Sequence, residues 1–73
     1  MKASDIEYFD FTSRRKRRMV MAFVIGILTR MKSAEEMFID NVPQNLKGGE
    51  SVDRADLSIE CILDAIDILM DAY

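Results

Sequence analysis

The stretch Met19–Leu28, Met-Val-Met-Ala-Phe-Val-Ile-Gly-Ile-Leu, carries no polar side chain and stands directly behind five consecutive cations, Arg14-Arg15-Lys16-Arg17-Arg18. Wound as a helix it is apolar all the way round, and such a helix has to be covered on every side. It is only half as long as the about twenty residues needed to cross a bilayer. Thr29-Arg30-Met31-Lys32 follows where a signal peptide would place small residues for cleavage. The run therefore reads as a buried helix, with no membrane involved.

Length limits what can cover it. A chain of 73 residues makes one domain, 1–73, and folded alone it hides only about 60% of its unfolded surface. Chains this small usually depend on a disulfide, a metal or a partner subunit. One cysteine, Cys61, and no histidine exclude an internal disulfide and a Cys/His zinc cluster. A homo-oligomer is the remaining expectation.

The same residues narrow the chemistry. Without histidine there is no imidazole to activate a serine or cysteine nucleophile. The glycines, Gly26, Gly48 and Gly49, lie outside the spacings of phosphate-cradling loops. No enzyme activity, cofactor or metal is expected, and a lone cysteine suits a reducing, cytoplasmic interior.

Proline and glycine punctuate the chain once, between Asp40 and Glu50, and the flanks read as helix. Ser4-Asp5-Ile6-Glu7 matches a capping box and predicts a short helix over about 4–10. Thr12 or Ser13 can cap a long helix over about 13–39, and a loop at 40–50 leads to a last helix over about 52–72 that starts at Ser51 or Asp53. In the long helix Val20, Val24, Ile27, Met31, Ala34 and Phe38 follow one another at spacings of four and three, as an inward seam does. Ala55, Ile59, Ile62, Ile66, Leu69 and Tyr73 form a matching seam in the last helix, widened by Leu57, Leu63 and Met70. An acidic stripe, Asp56, Glu60, Asp64, Asp67 and Asp71, lies opposite. Two seamed helices on a short loop fold back as an antiparallel hairpin that pairs into a bundle. The expected fold is thus all-α: a helical hairpin with a short N-terminal helix, oligomerising into a helical bundle. Its core draws on Met19, Val20, Phe23, Val24, Ile27 and Met31, and on Ile59, Ile62, Ile66 and Leu69.

Charge is distributed unevenly. Residues 1–34 hold eight Lys/Arg against three Asp/Glu, whereas residues 35–73 hold two against ten. Folding back would set the Arg14–Arg18 run beside Asp64, Asp67 and Asp71, so the two ends can pair at a few tenths of a kcal/mol per exposed pair. Five cations at the start of a helix nevertheless oppose its dipole and repel one another, a cost that a bound anion would offset. Tyr8, Phe9 and Phe11 stand just upstream, and aromatic faces beside cations stack bases while holding phosphates. Phe9 and Phe11 also read as core, covering the back of Met19–Leu28, while Tyr8 stays open. Acidic pairs one turn apart, such as Asp56/Glu60, read as a solvated face rather than a cation site, and Cys61 reads as a half-buried apolar group.

Glu35-Glu36-Met37-Phe38-Ile39-Asp40-Asn41-Val42-Pro43-Gln44-Asn45-Leu46, with Ile62-Leu63-Asp64-Ala65-Ile66-Asp67-Ile68-Leu69, resembles small phage-encoded helical-hairpin proteins of unsettled function. These share an Asn-apolar-Pro-x-x-Leu loop and a Leu-acidic-acidic-Ala-Ile helix. The chain departs from them at Gly48-Gly49 and in its basic run. In layout, the short helix, the hairpin and the Tyr8/arginine adjacency are also similar to phage anti-CBASS sponges, which sequester cyclic-nucleotide signals at subunit junctions. The resemblance implies a small non-enzymatic oligomer in a phage or bacterial cytosol but carries over no residue, and it is the aromatic–basic adjacency that points to Tyr8, Arg14, Arg15, Lys16, Arg17 and Arg18 as holding a phosphate-bearing ligand. An adaptor docking a protein through its acidic or apolar face, and an RNA- or DNA-binding hairpin dimer, are the alternatives. The net charge of −3 disfavours nucleic acid, though local charge matters more than the total.

Overall fold

The computed structural model describes residues 9–73, and everything below concerns those residues. They form a helical hairpin of two long helices, α1 (Arg14–Asn41) and α2 (Glu50–Ala72), joined by a turn that contains a single 3-10 turn, Gln44–Leu46, and no strand. The short helix expected at 4–10 lies outside the described residues except at Phe9 and Asp10, which are not helical.

Local chemistry accounts for both ends of α1. Asp10 accepts hydrogen bonds from the Thr12 amide at 2.8 Å and the Thr12 hydroxyl at 2.6 Å, which turns the chain toward the cap. Ser13 is the cap: its backbone is extended and its hydroxyl oxygen accepts from the Lys16 amide at 3.1 Å. At the far end Pro43 keeps Val42 out of the helical region, at φ −72° and ψ 131°, and α1 stops.

The second helix opens earlier than Ser51 or Asp53. Gly49 is its cap, at φ −79° and ψ 167°, with no side-chain hydrogen bond. A Cβ on Gly49 would stand 3.2 Å from the Leu46 carbonyl oxygen, and the Gly49 amide donates to that oxygen at 3.0 Å. Without a side chain the backbone closes directly from the 3-10 turn into α2. Glu50 and Asp53 then occupy the first turn, where they suit the helix dipole, and Glu50 holds Arg54 one turn on at 2.6 Å.

In α2 the face turned to α1 holds Ala55, Ile59, Ile62, Ile66 and Leu69 as expected, now preceded by Val52, whereas Tyr73 and the widening positions Leu57, Leu63 and Met70 are exposed. Val52 and Ala55 are buried, at 6% and 4% exposure, and the rest of that face is half-buried. In α1 Val20, Val24 and Ile27 are half-buried, but further along the inward positions are Leu28, Lys32, Glu35 and Ile39. Met31, Ala34 and Phe38, expected in the seam, are exposed.

The result is a plate. Its Cα atoms span 51 × 26 × 14 Å with a radius of gyration of 15.7 Å, against about 11 Å for a compact chain of this length. Two helices lie side by side with no third element stacked on them among the described residues. Such a single layer buries almost nothing: among the described residues Val52 and Ala55 alone are buried. Replacing the cap, Ser13→Ala, should lower stability by about 1 kcal/mol, and Ser13→Gly by only a few tenths. Urea unfolding of the three proteins checks both.

Candidate anion site at the basic end of the hairpin

The hairpin sets the start of α1 against the end of α2, so the five cations begin where the last ring of the chain stands. They do not share one fate. The Arg14 guanidinium lies over the Tyr73 ring, 4.9 Å from its centroid, a cation–π contact near the negative end of α2. The Lys16 ammonium donates to Asp10 at 2.6 Å. Arg17, half-buried, donates to the Phe11 carbonyl at 2.8 Å. Arg15 and Arg18, one turn apart and exposed, have no hydrogen-bond or carboxylate partner among the described residues.

Pairing with the acidic stripe, expected from the charge asymmetry, is absent. The ion pairs among the described residues are Lys16–Asp10, Lys32–Glu36 and Arg54–Glu50, all local in sequence, and none joins α1 to α2. Asp64, Asp67 and Asp71 are exposed on the side of α2 opposite its seam, which turns them away from the arginines. The positive field at the start of α1 is therefore only partly neutralised among the described residues.

An apolar groove adjoins it. Phe9, Asp10, Lys16, Met19, Val20 and Phe23 line an open groove of about 370 Å³. Phe9 meets Phe23 edge-on, with ring centroids 5.3 Å apart at 73°, so Phe9 does cover part of the Met19–Leu28 run, whereas Phe11 is exposed. Tyr8 lies outside the described residues. Of the core positions expected from sequence, Val20, Val24, Ile27, Ile59, Ile62, Ile66 and Leu69 are half-buried in the hairpin. Met19, Phe23 and Met31 stay open, at 65%, 45% and 52% exposure.

The Asp10–Lys16 pair and the Tyr73 ring under Arg14 were not anticipated from sequence. Asp-x-Thr ahead of a capping serine signals the first. The seam position of Tyr73, carried to the open end of an antiparallel hairpin, signals the second. Cys61 corrects an expectation: its thiol is free and exposed, because no second layer covers that side of α2. Among the described residues no cluster of three or more potential metal ligands forms, and no helix is long and apolar enough to cross a membrane.

Comparison with family models, with characterised proteins and with solved structures returns no match.

The hydrogen bond from Lys16, reinforced by those from Thr12, holds the Asp10 carboxyl well below the usual carboxylate range. A depressed carboxylate stabilises the fold above its unfolded pKa of about 3.9, and that contribution is lost as pH falls through the lower folded value. A carboxyl NMR titration should find Asp10 still ionised at pH 3, and Lys16→Met should return its midpoint toward about 3.9.

Proposed function

We propose that the chain is a non-enzymatic binding subunit that acts as an oligomer and holds a phosphate-bearing ligand, a nucleotide signal, at the basic start of α1. The observation that carries this reading is the pair Arg15 and Arg18, exposed at the positive end of α1 with no carboxylate partner among the described residues. A phosphate there would meet two guanidiniums and the helix dipole together. The Phe9/Phe23 groove, rimmed by Lys16, adds an apolar wall of a size to take a base, and Tyr8 belongs to the same segment of chain. The choice of a nucleotide and of a phage or bacterial cytosol follows the resemblance that the sequence bears to cyclic-nucleotide sponges.

A docking adaptor is the second reading, favoured by the large apolar side chains left open on α1 and α2. Nucleic-acid binding is distinguished by its salt dependence, since each neutralised phosphate steepens the fall of affinity with salt.

Thermal unfolding against a panel of cyclic and linear nucleotides tests the proposal. A true ligand at ten times its Kd adds about 1.4 kcal/mol, or roughly 6–11 °C in a domain of this size. One nucleotide should produce that shift, and Arg15→Glu with Arg18→Glu should abolish it. If no nucleotide shifts the midpoint, the anion site is wrong.

A further inference from the structure

Of the five cations at the start of α1, three are already held by groups of their own chain. Arg14 lies over the Tyr73 ring, Arg17 donates to the Phe11 carbonyl and Lys16 donates to Asp10. Arg15 and Arg18 have no partner among the described residues. Standing one turn apart on the helix, they are close enough to meet a single group between them, and two guanidinium forks suit the oxygens of one phosphoryl group.

Asp10 is the reason that Lys16 is not a third. One carboxylate oxygen of Asp10 accepts from both the amide and the hydroxyl of Thr12, at 2.8 and 2.6 Å, and the other accepts from the Lys16 ammonium at 2.6 Å. The turn at Thr12 therefore fixes the carboxylate independently of Lys16. Both residues line the groove with Phe9 and Phe23, so its rim carries an ammonium and a carboxylate whose charges cancel.

We infer that Asp10 is a specificity-determining residue: by withdrawing Lys16 and setting a carboxylate on the rim of the groove, it makes the site one for nucleotides with a single phosphate group and against those with two. The inference rests on reading the basic end as a nucleotide site and names the class of nucleotide.

With the base against Phe9 and Phe23 and its phosphate between Arg15 and Arg18, a second phosphate finds no free cation. Arg14 and Arg17 are engaged, and beside Lys16 it meets the Asp10 carboxylate. Like charges placed together are how a site rejects a ligand that its attractive contacts would accept. Lys16 and Thr12 hold the Asp10 carboxyl well below the usual carboxylate range, so this repulsion persists at neutral pH.

Calorimetric titration of the full chain with adenosine and guanosine 5′-monophosphates, each against the 5′-diphosphate of the same base, reads the preference. The monophosphate should bind more tightly than its diphosphate. Asp10→Asn keeps an oxygen for Thr12 but loses the charge and the hold on Lys16. It should tighten the diphosphate by about fivefold, the upper worth of an exposed charge contact, and the monophosphate by less. Asp71→Asn, which removes an exposed acid on the far side of α2, should leave the ratio of the two affinities unchanged, and circular dichroism checks that both variants are helical. A wild-type chain that prefers the diphosphate, or an Asp10→Asn chain whose ratio matches that of Asp71→Asn, would overturn the inference and leave the nucleotide reading standing. Binding of none of the four nucleotides by either the wild-type or the Asp10→Asn chain would also overturn it, while the midpoint shift with the wider panel decides the nucleotide reading by itself.

Discussion

Thickness governs this molecule. Two helices side by side make a layer 14 Å deep, and a layer one helix deep has no interior in which to hide a side chain. A helix can be half-covered by one neighbour, yet Met19–Leu28 is apolar on every face. The seam with α2 accounts for Val20, Val24 and Leu28, and the groove beside Phe9 accounts for part of Phe23. Met19 and Met31 remain in water. The burial of two small side chains, Val52 and Ala55, stands against an ordering cost of about 1–2 kcal/mol for each residue's backbone. Apolar surface left open at this scale on so small a chain is the reason for reading it as a subunit.

The acidic half was more legible in the sequence than the basic half. The inward row of α2 alternates steps of three and four with apolar residues at each step, and its far side is acidic, so pattern and structure agree. Val52 precedes the seam that a hydrogen-bonding cap at Ser51 or Asp53 predicts. The actual cap, Gly49, works by having no side chain at all. In α1 two rows share Val24 and compete. Hydrophobicity favours Met31, Ala34 and Phe38. The turn at Pro43 instead leaves Val42 half-buried, and stepping back from Val42 by threes and fours gives Ile39, Glu35, Lys32 and Leu28. Lys32 and Glu35 can take inward positions because their stems lie along apolar surface while their charges reach water. A pattern of apolar letters does not reveal such a row.

The same partial legibility applies to the site. Five cations in sequence suggested one field, but folding distributes three among a ring, a carboxylate and a carbonyl, and leaves Arg15 and Arg18 without a partner among the described residues. Arg14 and Tyr73 meet only because the hairpin is antiparallel. Asp10 engages Lys16 only because the Asp10–Ser13 turn brings the chain back over the first turn of α1. The acidic stripe of α2, which charge counting would pair with the arginines, faces away because the seam already fixes how α2 is rotated. Backbone geometry and apolar packing set the positions first, and the surface charges answer to them.

Unpartnered charge and unpartnered apolar surface thus have a common origin in a fold one layer deep. Thermal unfolding followed over a thousandfold range of protein concentration tests this most directly, since assembly stabilises the folded state by mass action. The account predicts a midpoint that rises steadily with concentration. A sharp, cooperative transition whose midpoint does not move across that range would show that the single hairpin is stable by itself and would contradict it.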